Sequence, residues 1–217
     1  MADVFISIPT PKSDTQQAIK RSILGIVRSL GFSPRTVGSS DEDSDFPSGP
    51  PFAHVIRVMK ECSGVLVVAY EKNSAEGFTT NSASSTPTRH AQATLATPWN
   101  HAEAGIAYSL DLPTLVLCQK ELFREGVLEN NVIGYVQDFV AEDLMPLRPA
   151  LSGRINNWAE GVRKYQPNSV SRTLDTVSFG EVVRFVAASN WMSIAQVVAA
   201  VGFVFSMGFA AGRFWPG

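Results

Sequence analysis

Charge is scarce in this chain. Only 18% of its 217 residues are Asp, Glu, Lys or Arg, and 20 acidic against 18 basic side chains leave a net charge of −2. With an isoelectric point near 5.9, it lacks the basic surface that draws nucleic acid, so no nucleic-acid partner is expected. Cysteine is nearly absent. Cys62 and Cys118 lie beside or inside apolar runs, at a spacing that fits neither a metal site nor a redox pair, so both should be reduced and buried. The three histidines are equally unpromising as metal ligands. His101 and Glu103 form a His-x-Glu without a second histidine nearby, so no metal site is expected, and His54 and His90 read as surface residues. No Gly-rich phosphate loop and no GxGxxG occur. Ser7 follows an apolar run but has neither a nucleophile elbow nor a positioned histidine, so it is not a triad serine. The N-terminus shows no basic region followed by a long apolar stretch, which leaves the N-terminal domain expected on the cytoplasmic side.

What the chain does have is concentrated at one end. Residues 191–212 read WMSIAQVVAAVGFVFSMGFAAG, without a charge in 22 positions. A helix of that length rises about 33 Å, enough to cross a hydrocarbon core of about 30 Å. Trp191 at one end and Arg213, Phe214 and Trp215 at the other suit the membrane interface. A buried core helix is the alternative, although a core helix normally carries a polar stripe and here only Gln196 and two serines are polar. Gly202, Ser206 and Ala210 recur at four-residue steps, with Gly208 and Gly212 beside them. Such a face either lets helices associate in lipid or reflects the ordinary abundance of small residues there. The expectation is a C-terminal membrane anchor over 191–212. Residues 166–190 form a linker before it, in which Val182, Val183, Phe185 and Val186 either lie along the membrane surface or belong to a plain connector.

The preceding 165 residues alternate between two periods, as one α/β domain should. Residues 3–8 are an apolar, β-branched run closed by Pro9 and Pro11. Ser13 or Asp14 can cap a helix whose apolar positions Ala18, Ile19, Ile23, Ile26, Val27 and Leu30 repeat at helical spacing up to Gly31. A second strand is expected over 32–37, a surface loop over 38–51, and a helix over 52–62. The run GVLVVAY at 64–70 suits a central parallel strand buried on both faces. Residues 73–98, mostly Ser, Thr, Ala and Asn, read as a mobile loop. Helix is expected over 99–110, strand over 114–118, a short helix and an edge strand within 121–140, and a last helix over 143–165. This is a mostly parallel, flavodoxin-like sheet flanked by helices, and ligands of such sheets bind beyond the carboxyl ends of the strands.

One group of residues there can carry chemistry. PWNHAE at 98–103 sets Glu103 one turn into a helix, with Trp99 four residues before it on the same face. The helix N-terminus is expected to favour ionised Glu103, and the indole to wall off one side of a pocket. A charged carboxylate in a partly dry cleft can stabilise or attack an oxocarbenium-like centre, which is what cleaving a bond to a ribose anomeric carbon demands.

In order along residues 1–140, four segments resemble the Toll/interleukin-1 receptor (TIR) domain family, particularly its NAD-cleaving members. DVFIS at 3–7 is similar to the family's first-strand box, and LGF at 30–32 to its helix-to-strand junction. CSGVLVVA at 62–69 is similar to its central strand, and Trp99-x-x-x-Glu103 with Ala107 and LDLP at 110–113 to the helix bearing its catalytic glutamate. The resemblance implies that Glu103 is catalytic, that Trp99 lines the nicotinamide-ribose pocket, and that Ser7, Ile8 and Pro9 border it. It implies that Asp45 and Phe46 belong to a loop that gates the site and mediates assembly. NAD is then a substrate rather than a cofactor, the protein a homo-oligomer, and its role innate-immune or antiviral. Glu103-x-Gly105-x-Ala107 is also similar to the helix of nucleoside deoxyribosyltransferases, which keeps a nucleoside or nucleotide substrate open, and a non-enzymatic TIR adaptor is the third reading.

Overall fold

A computed structural model describes residues 1–38, 44–45, 50–130, 132–134, 136–144 and 147–166. The expected anchor, the linker beyond residue 166 and Phe46 lie outside the described residues. Among the described residues, no helix is long and apolar enough to cross a membrane.

The first strand, β1 (Ala2–Ser7), is buried from Val4 to Ser7. Helix α1 (Asp14–Ser29) follows, and Ser13 caps it by accepting a hydrogen bond from the Gln16 main-chain N–H at 3.2 Å. Its buried positions Ile19, Ile23, Leu24 and Val27 form one stripe. The chain then leaves the helix through Gly31 at φ +84°, a left-handed conformation that glycine adopts without strain. Strand β2 (Phe32–Val37) alternates buried and half-buried residues. Its Pro34 falls before the two residues, Thr36 and Val37, that pair with the short β3 (Ser44–Asp45). A missing N–H is tolerated where no outer neighbour needs it. Helix α2 (Pro51–Lys60) and strand β4 (Val65–Ala69), buried at every residue, come next.

Between β4 and the following helix the structure corrects the sequence reading. Residues 73–98 do not form a mobile loop. Strands β5 (Asn73–Thr80) and β6 (Thr88–Leu95) make an antiparallel hairpin in register from Asn73↔Leu95 to Thr80↔Thr88. Low hydrophobicity misled because the hairpin is held by its own ladder and by a few contacts distant in sequence. Phe78 stacks on His90, with ring centroids 4.7 Å apart and planes at 15°. Phe123 meets both rings edge-on at 5.1 Å. The Phe123 N–H donates to the Thr94 carbonyl at 2.8 Å and the Thr94 hydroxyl to the Glu121 carbonyl at 2.9 Å. His90 is therefore a half-buried packing residue with Nε2 3.1 Å from the Thr80 hydroxyl, not a free surface histidine.

Helix α3 (Pro98–Ser109), strand β7 (Thr114–Gln119), a 3-10 turn at Gly126–Leu128 and strand β8 (Val136–Phe139) complete the sheet. The last helix, α4 (Pro149–Lys164), starts later than its pattern suggested, because Pro149 suits the first helical position and residues 141–143 form a separate 3-10 turn. The sheet order is β3-β2-β1-β4-β7-β8 with every pair parallel, consistent with a flavodoxin-like fold. Successive strand residues face opposite sides. Val4, Ile6, Leu66, Val68, Leu115 and Leu117 pack with α1 and α4, while Phe5, Val65, Val67, Ala69, Val116 and Cys118 pack with α2 and α3. Both cysteines are free and buried, and burial pushes their thiols up to about 12 for Cys62 and about 11 for Cys118.

Candidate functional site

The chain runs outward from β1 to β2 in one direction and from β1 to β4 in the other, so β1 and β4 flank the point where the strand order reverses. In sheets of this kind ligands bind in the crevice beyond the carboxyl ends of the two strands at that point. Ser7 ends β1, and α3 begins above the crevice. Thr97 caps α3, accepting from the Asn100 main-chain N–H at 3.2 Å, and Pro98 occupies the first helical position.

Asn100, only 1% exposed, ties the helix to the crevice. Its Nδ2 donates to the Ser7 hydroxyl at 3.0 Å and lies 3.4 and 3.5 Å from the main-chain carbonyls of Ser7 and Val68. Its Oδ1 accepts from the Thr97 hydroxyl at 3.0 Å. The sequence reading passed over this residue. The signal was present in Thr97-Pro98-x-Asn100, a capped helix start with an amide in its first turn, but nothing local says that the amide turns toward a strand 93 residues away.

One turn further along α3, Glu103 is 8% exposed, with Ser7 as its polar neighbour. Burial raises its carboxyl to about 7, while Ser7 works in the opposite direction. This corrects the expectation that the helix N-terminus keeps Glu103 ionised. Five helical residues precede it from Pro98 on, the dipole effect fades within the first turn, and desolvation is the larger influence.

The other expected site residues divide. Ser7 ends β1 at this edge, where its hydroxyl accepts from Asn100 Nδ2. Ile8 is half-buried against the α1/α4 side of the core, and Pro9 is buried with its carbonyl accepting from the Tyr70 hydroxyl. That bond clamps the segment after β1 to the residue after β4. Burial raises the Tyr70 phenol, so it stays a protonated donor. Trp99 is 43% exposed and packs on Phe52 of α2, with ring centroids 6.1 Å apart. Helices in a parallel sheet begin at the carboxyl edge, so this exposed aromatic pair stands on the same edge as Ser7 and Glu103. Asp45 lies on β3, two strands away from β1. Its carboxylate is engaged by Arg35 through two bonds of 3.0 Å each, in a cluster that includes Glu61 and Asp3.

Two histidines also border α3 and α2. His101 is held near the 3-10 turn, where a Cβ on Gly126 would come 3.5 Å from its Nδ1, and burial pushes its imidazole down to about 4. His54 is buried, not on the surface as its sequence context suggested, because α2 turns it inward with Val55, Val58 and Met59. Its Nδ1 is 2.8 Å from an Arg57 guanidinium nitrogen. Among the described residues no group of three or more His, Cys, Asp and Glu is arranged to hold a metal ion.

A carboxyl that burial raises to about 7, on a helix anchored at a strand-order reversal, can stabilise a cationic centre when ionised and donate a proton when neutral. No family model matches the chain, and no curated protein matches its sequence.

Proposed function

We propose that this chain is an N-glycosidase that cleaves NAD between nicotinamide and ribose, with Glu103 as the catalytic carboxylate. The single observation that carries the reading is the buried carboxyl of Glu103, set on the helix that Asn100 ties to Ser7 at the carboxyl ends of β1 and β4. In NAD the nicotinamide is already a pyridinium cation, so it departs as a neutral base without being protonated. The ribose left behind acquires oxocarbenium character. A carboxylate freed of bulk water stabilises that charge or attacks the anomeric carbon, and water completes the hydrolysis to ADP-ribose, nicotinamide and a proton. Trp99, half out of the fold beside Phe52, offers an aromatic face for the nucleotide.

A second reading has one observation in its favour. A carboxyl near 7 is half protonated at neutral pH and so can act as a general acid, which a neutral nucleobase needs in order to leave. The substrate is then a nucleoside or nucleotide. The resemblance to TIR domains supports NAD as the first choice and self-assembly as the mode of activation, in an innate-immune or antiviral role. The uncharged run at 191–212 supports attachment to membrane lipid.

The test is turnover by membrane-embedded protein with NAD and, in parallel, a nucleoside and nucleotide panel. NAD loss with release of nicotinamide is expected, falling at least about 100-fold in Glu103→Gln. Equal turnover by the variant overturns the role of Glu103. Release of a nucleobase with NAD intact selects the second reading, and no product from any substrate returns the chain to the adaptor class.

A further inference from the structure

The geometry points to a cation site at the amino edge of the sheet, where a groove lined by the Asp111 carboxylate and the Tyr108 ring takes an alkylated ammonium ion. The groove lies where α3 ends and β7 begins. Tyr108, Asp111, Leu112, Pro113, Thr114 and Ile133 line it, around a volume of about 290 Å³. Three features there attract positive charge. Helix α3 ends at Ser109 with no basic residue in its last turn, so the negative end of its dipole is not offset. Asp111 follows at φ +53°, a left-handed conformation that turns the chain toward β7. Its N–H returns to the Tyr108 carbonyl at 3.1 Å, which fixes the turn. Its side chain is exposed, and no salt bridge engages the carboxylate among the described residues. Tyr108, 53% exposed, adds a ring whose face attracts cations. A second aromatic residue stands within range of the carboxylate, since burial and the Asp111 charge together raise the Tyr165 phenol. An anionic ligand is opposed by the same features.

The hydrogen bonds decide what kind of cation fits. The carbonyls around the groove are already engaged. Those of Ile106, Tyr108 and Ala107 accept from the N–H groups of Leu110, Asp111 and Leu112 at 3.0, 3.1 and 3.1 Å. The Leu112 carbonyl accepts from the Thr114 hydroxyl at 2.8 Å. The Pro113 carbonyl accepts twice, from the Val65 N–H at 2.9 Å and from Trp158 Nε1 at 3.0 Å. A primary ammonium brings three hydrogens, each of which needs an acceptor when it leaves water. A quaternary ammonium brings none. Its charge is met by the carboxylate and the ring, and its methyl groups by Leu112, Pro113 and Ile133.

This groove is on the edge opposite Ser7 and its ligand does not rest on the glycosidase reading, so the test is binding rather than turnover. The probe is choline, titrated by ligand-detected NMR against the full chain in detergent. Its neutral analogue, with carbon in place of nitrogen, has the same shape without the charge. Choline is expected to bind with a Kd of about 10 mM or tighter, as suits so small a ligand. The analogue should bind at least about tenfold more weakly. Asp111→Asn keeps the size of the side chain and its tolerance for left-handed backbone. It should lower choline affinity at least about tenfold and leave the analogue unchanged. Tyr108→Leu, which keeps an apolar wall but removes the ring, should lower choline affinity about threefold. Both variants are compared after circular dichroism matches wild type, and the two-probe comparison on wild type decides without them. Equal binding of the two probes, choline affinity retained in Asp111→Asn, or no saturable choline binding overturns the inference.

Discussion

Glu103 costs the fold stability wherever it must ionise. Its carboxyl is raised from 4.5 to about 7. Both the folded and unfolded forms are therefore protonated below about pH 4.5, and the penalty grows as pH rises through about 7. The full difference is about 3 kcal/mol, an order-of-magnitude figure for a group this buried. Glu103→Gln removes the titration. Urea denaturation of the variant should match wild type within about 1 kcal/mol near pH 4.5 and show it more stable by up to about 3 kcal/mol at pH 8. Parallel stability curves for the two proteins would mean that the carboxyl is not desolvated. His101 has the opposite sign. Burial lowers it to about 4, so its contribution is complete above its ordinary value of 6.5 and is lost as pH falls through about 4. Between about pH 4.5 and 6.5 the two effects oppose each other, the histidine gaining stability as the glutamate loses it.

The β5–β6 hairpin and the contact between β4 and α4 show how whole elements depend on single residues. Phe123 fits against Phe78 and His90, and the hairpin has no other aromatic anchor among the described residues. Phe123→Ala is expected to leave the parallel sheet intact while amides at 73–95 lose at least about tenfold in hydrogen-exchange protection. Equal protection in the variant would show that the ladder suffices by itself. Gly64 matters for a different reason. A Cβ there would meet Val162 Cγ2 at 2.5 Å and the Pro113 carbonyl at 3.2 Å. Pro113 is itself held, since its carbonyl accepts from Trp158 Nε1 at 3.0 Å. Gly64→Ala should therefore cost about 1–3 kcal/mol in chemical denaturation, and an unchanged midpoint would show that α4 shifts freely.

The two ends of the parallel sheet differ in what they present. At the amino end of β7, Tyr108, Asp111, Leu112, Pro113, Thr114 and Ile133 line a groove of about 290 Å³. It is the wrong end for the chemistry proposed here, because Ser7 and Glu103 lie where the strands finish. Tyr108→Ala, at a half-exposed position of that groove, should change NAD turnover less than about twofold, whereas Trp99→Ala should raise KM by about tenfold or more. The reverse ranking would move the site to the amino end. The proposed membrane attachment is likewise tested on the whole chain. The full protein is expected to stay with membranes after alkaline carbonate extraction, and a chain ending at residue 166 to be released. Retention of the shorter chain would locate the attachment within residues 1–166.

Periodicity and local signals determined the alternation of strands and helices, a cap at Ser13 or Asp14, the helix stop at Gly31 and the buried run of β4, because each depends on neighbours within a turn or a pleat. The same local logic drew attention to Glu103, whereas Ser7 was placed at the site only by the family resemblance. Tertiary structure alone decided that Asn100 reaches Ser7 across 93 residues, that Glu103 is buried, that His54 faces inward, and that a serine- and threonine-rich stretch pairs as a hairpin. Burial and hydrogen-bond partners come from segments far apart in the chain. The desolvation that sets the Glu103 proton therefore has no signature in the residues beside it.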